Sequence, residues 1–355
     1  MSERVLSTRE LNRALLARQL LLERSRLPLT RALERVAGLQ TQYAPSAYVA
    51  LWSRLHDFRR PTLTKALGQR RVVQATLMRV TIHIVSARDY PLFAEGVREG
   101  RRELWLRAWR RQVEGADMEK ITDLVRKRLS EGPLRQAELV KLIEAEGWPR
   151  AAWSGVGLWT DLVRVPPSGT WERRRADLFG LAEEWLGPSK ATEPEGLRHL
   201  VGRYLKGFGP ASLNDVASWT GLPVTKLRPV IERLPLRRFR DEQDGELLDL
   251  PRAPLPAPDT NAPVRFLPTW DATLFVHARR TQILPERYRS LVFHTKNPQS
   301  VSTFLVDGAV AGTWRYEDGR VRLDPFDGVP RRVRRELEEE AGRLAAWHED
   351  QDLRS

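Results

Sequence analysis

Hydrophobic positions recur at helical spacing through most of residues 7–233 and switch to strict alternation only in short stretches. Leu11, Leu15, Leu16, Leu20 and Leu22, and then Leu33, Val36 and Ala37, predict two helices within 7–37 that are broken at Pro28. Ser7 or Thr8 can cap the first, with Glu10 in its first turn, and Thr30 can cap the second. After a short link, 46–57 and 62–69 read as helices. Residues 72–86 are β-branched and alternate, which predicts paired strands. Residues 90–112 read as helix again, rich in Arg and Trp.

The order then recurs. Helices are predicted at 118–129, 134–146 and 152–162. They are followed by Val163–Trp171 and Glu172–Arg175, a strand, turn and strand with a basic tip at Arg173, Arg174 and Arg175. A third copy has helices at 195–206, 212–220 and 224–233. Strands at 236–240 and 246–250 then flank a turn that closes on Asp244-Gly245. Three helices and a hairpin form the winged-helix layout, here three times over.

Residues 251–263 hold five prolines and predict a linker. Beyond it, strands are expected at 264–268, 291–294, 302–306 and 310–315, as a small antiparallel sheet or barrel. A charged helix over 330–347 closes the chain, with Glu336–Glu340 as a solvated face. The expected fold is mainly α with small β elements (α+β). It comprises winged helices over 1–112, 113–190 and 191–251, a linker over 252–263, and a barrel-like domain with its terminal helix over 264–355.

With 355 residues, 41% of them hydrophobic and 30% charged, the chain is globular and long enough for several cores. It has no cysteine, hence no disulfide framework and no thiolate zinc site. No apolar run approaches about 18 residues, so no membrane span is expected. Glu3, Arg4, Arg9 and Glu10 exclude a secretory signal at the start, and a cytoplasmic location is expected. The net charge of +13 changes the picture more: it points to a polyanionic partner, nucleic acid above all. Coding bias can exchange Lys for Arg but does not create a surplus over Asp and Glu. The six histidines show no i, i+4 pair and no His-Glu-x-x-His, and no phosphate-cradling Gly-x-x-x-x-Gly-Lys or serine elbow is present. No metal and no cofactor are expected. No heptad seam is visible, so a monomer is expected.

The most informative stretch is Gly38–Pro45. Gly38 suits the left-handed position past a helix end, and Pro45 the first turn of the next helix. Gln40 and Gln42 are left on a short extended link, where positions i and i+2 face one side. Two neutral amides can orient a water beside a leaving group that is already activated. By residue type alone they serve equally well as caps of helix ends.

Five segments together carry a resemblance. They are Gly38–Gln42, Met78–Tyr90, Gly209–Ser212 with Trp219–Leu222, Leu267–Asp271, and Val306–Gly308 with Gly312–Arg315. In this order, over nearly the whole chain, the sequence resembles the winged-helix DNA glycosylases typified by AlkZ and YcaQ, which release alkylated purines and unhook interstrand crosslinks. The resemblance implies tandem winged helices, a C-terminal β-barrel, and a catalytic Gln-Φ-Gln or Gln-Φ-Asp with Φ apolar. Gln40 and Gln42 match the outer positions, Thr41 stands at Φ, and the second Gln places the chain nearer the AlkZ type. The implied reaction is monofunctional hydrolysis of the N-glycosidic bond of an N7- or N3-alkylpurine, without a Schiff-base lysine. Such a base is cationic and departs neutral, while the sugar passes through an oxocarbenium-like state. The two glutamine carbonyls can place the water and hold partial negative charge nearby.

The same resemblance makes Arg79 and His83 candidates for lining the lesion or phosphate site. The basic wing tip Arg173, Arg174 and Arg175 reads as a phosphate contact or a groove probe, or else as an exposed basic turn. Trp270 and Asp271 open a loop beside the barrel, where Asp271 either binds water or fixes the turn. Leu205–Ala211 looks like a helix-hairpin-helix turn, but only Asp215 follows it before Asp241 and strands come next, which argues against that glycosylase class. The alternative is a winged-helix regulator or architectural DNA binder without activity, and the glutamine pair separates the two.

Overall fold

A computed structural model describes residues 3–275, 281–293 and 300–349. The first run of elements is β1 (Val5–Leu6), α1 (Thr8–Arg18), α2 (Leu29–Arg35), β2 (Leu39–Gln40), α3 (Ala44–Arg54), α4 (Arg60–Gly68), β3 (Val72–Thr76), β4 (Ile82–Ser86) and α5 (Tyr90–Trp109). The second is α6 (Met118–Leu129), β5 (Leu134–Arg135), α7 (Gln136–Ala145), α8 (Trp153–Val156), β6 (Leu162–Arg164), β7 (Leu178–Leu181) and α9 (Ala182–Leu186). The third is α10 (Glu193–Phe208), α11 (Leu213–Thr220), α12 (Val224–Glu232), β8 (Arg237–Asp241) and β9 (Glu246–Asp249). The last is β10 (Arg265–Leu267), α13 (Arg289–Val292), β11 (Thr303–Val306), β12 (Ala309–Glu317), β13 (Arg320–Pro325) and α14 (Arg331–Glu349).

Local chemistry sets the helix starts. Ser7 and Glu10 form a reciprocal capping box on α1, and Ser212 and Asp215 do the same on α11. Pro28 itself precedes α2, so Thr30 lies inside that helix and does not cap it. The strands of the first two runs merge into one sheet of order β2-β4-β3-β6-β7-β5, joined where Gln74 faces Arg164. The third hairpin recruits β1 in parallel, a strand the sequence pattern did not announce.

The C-terminal strands form an open antiparallel sheet, β10-β11-β12-β13, the first of the two expected forms, and do not close into a barrel. β10 is three residues long, and one face of the sheet is already covered: Phe266, Phe304 and Trp314 share a core with Tyr48 and Leu51 of α3 and Leu344 and Trp347 of α14. A second core gathers α1, α5, α10, α11 and the end of β9, and a third belongs to the second run.

Several further expectations are corrected. Residues 152–162 break into a 3-10 turn, the four-residue α8 and β6, since Gly155 and Gly157 weaken a helix there. Glu172–Arg175 is a loop, not a strand: Ser168 Oγ donates to Arg175 O and accepts from Asp177 and Leu178 amides, curling the chain on itself. Residues 289–292 are helical where a strand over 291–294 was expected; His294, like His277, lies outside the described residues. Glu340 is buried against Arg24 and Arg343, so the acidic run is not wholly solvated. The proline-rich stretch has no regular structure, yet arginines strap it down: Arg9, Arg13, Arg18 and Arg237 donate to the carbonyls of Pro258, Thr260, Pro254 and Ala253. Among the described residues no helix is long and apolar enough to cross a membrane.

Candidate active site

The glutamine link is built by a glycine that must approach a strand. Gly38 has φ +79, and a Cβ there would lie 2.8 Å from Val85 Cγ1, so the chain can leave α2 and lie against β4 only without a side chain. Leu39 and Gln40 then pair with Ile84 and His83, and the Thr41 amide donates to Ile82 O at 2.8 Å. α3 starts at Ala44 with Pro45 in its first turn. Thr41, where an apolar residue was expected from the resemblance, is buried like one, at 1% exposure.

Gln40 is buried and Gln42 exposed. The Gln40 Oε1 accepts from Arg79 Nη2 at 2.5 Å, and the Gln42 Oε1 accepts from the Ile82 amide at 2.8 Å. Both carbonyls are thus held by one turn, residues 79–82, between β3 and β4. Each keeps a further lone pair for a water or a developing positive charge. Arg79 also donates to Trp219 O at 3.0 Å, which anchors the turn to α11. The turn is strained: Arg79 and Val80 have φ of 51° and 59°, in a region that disfavours β-branched residues most, and Val80 is 62% exposed.

His83 lies beneath this turn, 2% exposed, with Nδ1 3.0 Å from Thr81 O. Burial, aided by the Arg79 charge, pushes its pKa down to about 3. The imidazole is therefore neutral at physiological pH and faces the protein, not solvent.

The basic loop reaches the same place from the second run. Arg173, Arg174 and Arg175 are all exposed; Arg174 donates to the Tyr43 hydroxyl at 2.8 Å, and Arg175 pairs with Asp177. From the C-terminal run, Thr269 Oγ1 meets Ser46 Oγ at 2.8 Å, at the start of α3. Trp270, half-buried with φ 65°, stacks on Phe275. Asp271 is 4% exposed and forms a two-pronged ion pair with Arg54, both bonds 2.9 Å, so it fixes its turn to α3 rather than facing a ligand.

The structure therefore gathers Gln40, Gln42, Arg79 and Arg174 around the link and puts His83 and Asp271 inside. Sequence reasoning passed over Tyr43, 43% exposed beside Gln42, and Val80 at the tip of the turn. An aromatic between two glutamines and a helix-opening proline was the available signal for Tyr43. For Val80 the signal was the break of alternation at Met78-Arg79. No group of three or more His, Cys, Asp or Glu able to hold a metal ion occurs among the described residues.

A family model described as DNA glycosylase AlkZ-like matches residues 33–347. Among solved structures, the Streptomyces sahachiroi DNA glycosylase AlkZ is similar with a TM-score of 0.80 at 20% sequence identity, covering 97% of this chain and 96% of that one. No curated protein gives a significant match to the sequence.

Proposed function

The chain belongs to the AlkZ-like DNA glycosylase family, and from that premise we propose that it is a monofunctional hydrolase of cationic N7- and N3-alkylpurines in duplex DNA, bulky adducts and interstrand crosslinks included. Family membership favours this enzyme over a regulator without activity. In this reading the three helix-and-hairpin runs are winged helices over 1–112, 113–190 and 191–251, joined by the 252–263 strap to the C-terminal unit over 264–355. The protein works as a cytoplasmic monomer on the nucleoid.

The observation that carries the reading is that one turn fixes both glutamine carbonyls, through Arg79 and the Ile82 amide. Preorganised dipoles need no reorganisation as charge develops, which is where such groups gain most. An alkylated base leaves without a general acid, so the site has only to place water and stabilise the sugar cation. Gln42, the exposed member, holds the water; Gln40, clamped by Arg79, supports the cation through its remaining lone pair. Arg79 is a positioning residue. His83, neutral and buried, supports the turn and exchanges no proton. Arg173, Arg174 and Arg175 contact phosphates beside the link, and the Trp270 loop flanks it.

The test is a duplex carrying one 7-methylguanine, incubated with protein, treated with alkali and resolved on a denaturing gel. Wild type is expected to give the cleaved strand. Gln42→Ala is expected to lower excision by roughly 100-fold with duplex affinity nearly unchanged. Wild-type excision by the variant would remove Gln42 from the mechanism. Tight binding without excision of 7-methylguanine or of a bulkier N7 adduct would overturn the substrate class.

A further inference from the structure

Between the first and second runs lies a cavity of about 310 Å³ whose wall includes Thr76, Val80, Trp153 and two arginines, Arg101 and Arg164. Both arginines are more than nine-tenths buried, at 8% and 9% exposure. They converge on one residue: Arg101 Nη1 donates to Thr76 O at 3.0 Å, and Arg164 Nη2 donates to Thr76 Oγ1 at 3.1 Å. Among the described residues neither makes an ion pair. Arg101 Nε and Arg164 Nη1 are buried without any hydrogen-bond acceptor. The acid on the same wall, Asp161, is already taken by Arg98 at 2.9 Å.

Two buried, unpaired like charges are costly, and more so when each leaves a donor unsatisfied. Burial pushes both guanidinium groups down to about 10, which still leaves them charged at neutral pH. The arrangement suits an incoming anion and repels a cationic alkylpurine, so this is not the lesion pocket. It is nonetheless coupled to the active site: Thr76 pairs with Ile82 across β3 and β4, and the Ile82 amide holds Gln42.

We propose that Arg101 and Arg164 form a phosphate site that takes a single phosphodiester of the DNA strand passing the 79–82 turn. A free phosphate ion is the other source of the same chemistry. The inference rests on the glycosylase reading only in taking DNA as the polyanion. Phosphate contacts set register without reading sequence. A phosphate seated here, one strand pair from Gln42, would fix the position of the strand relative to both glutamines.

The experiment has two arms and uses the full chain as wild type, Arg101→Gln, Arg164→Gln and Arg164→Lys, each checked by thermal melting. In the first arm duplex affinity is measured against salt, and against a series of duplexes bearing one neutral methylphosphonate at successive positions. The Gln variants are expected to lose about one from the log–log salt slope and roughly three- to tenfold in affinity, with the Lys variant retaining the slope. One methylphosphonate position should weaken wild type and leave the Gln variants indifferent. In the second arm inorganic phosphate is added without DNA. A rise in melting temperature for wild type only, with no methylphosphonate coupling, would assign the site to a free ion and overturn the strand contact. Variants that melt like wild type, with unchanged slopes, no coupling and no phosphate effect, would overturn the site altogether. If the Gln variants melt early, the methylphosphonate series on wild type and Arg164→Lys still decides: no sensitive position in either overturns the strand contact. Gln42→Ala should keep the wild-type slope while losing excision, so failure of the catalytic reading and failure of this site register in different assays.

Discussion

Burial, with the Arg79 charge beside it, takes the His83 imidazole from an ordinary 6.5 to about 3. An unfolded chain binds a proton there as pH falls through about 6.5, while the folded chain does not until about 3. The unfolded state thus holds more protons across that window, and stability falls as pH falls through it; above it the contribution is fully present. The loss approaches the order of 3 kcal/mol toward about pH 4. His83→Gln should flatten the pH dependence of the melting temperature between neutral and mildly acid solution, and an unchanged profile would show that another group carries it. This residue also marks the limit of sequence reading at the site. The extended link that carries Gln40 and Gln42 was legible because the glycine before them and the proline after them bracket it. His83 was read as a candidate for the ligand face, and Asp271 was left open between that face and its turn, because a motif shows residue types, not which side is buried. Pairing of β4 with both β2 and β3 places His83 inside, and Arg54, 217 positions before Asp271, takes that carboxylate.

Among the elements, α5 and α10 cross closely, backbone against backbone, at Gly96 and Gly196. A Cβ on Gly196 would stand 2.6 Å from Gly96 Cα and 2.7 Å from Leu92 O, both backbone atoms that cannot yield. Gly202, on the same helix, has nothing within 4 Å of its Cβ position. Gly196→Ala should therefore destabilise by about 2–3 kcal/mol through overpacking, whereas Gly202→Ala should stabilise by up to about 1 kcal/mol through helix propensity. Thermal denaturation of the two variants checks this, and a Gly196→Ala protein as stable as wild type would show that the helices can part freely. The helices themselves were readable where one apolar face is continuous and the ends are capped. α6 begins and ends where the pattern says, and α11 begins after its Ser212 cap. The failures share a cause, which is structure that no periodic apolar pattern marks. β1 is two residues that exist because β8 offers an edge, and β13 alternates charged residues along an exposed sheet edge. The loop around Arg173 is shaped by side-chain bonds from Ser168 and Thr170 that periodicity cannot register.

At the scale of the molecule, the threefold pattern suggests separable units, but the long-range contacts oppose separation. β3 and β6 fuse the first two hairpins into one sheet. Arg18 and Asp249, both 0% exposed and 231 positions apart, join α1 to β9, and Arg237 adds a second cation to the same carboxylate. No local pattern announces a buried ion pair across that distance; Arg18 reads as the polar residue of an amphipathic helix. Removing the carboxylate leaves Arg18 charged, buried and unpaired, which costs more than the intact pair contributes. Asp249→Ala should thus lower global stability by about 3–5 kcal/mol. Because the first two runs share a sheet and the Arg18–Asp249 pair ties the first run to the third, the loss should appear as one earlier transition, with tryptophan fluorescence and far-ultraviolet dichroism coincident. Two separate transitions would mean that the third run unfolds independently and that the runs are linked rather than fused. In that case the proposed active site, whose turn is anchored to α11 through Arg79 and Trp219, would lose its support before the remainder of the protein melts, and excision would fail at a lower temperature than the first two runs unfold.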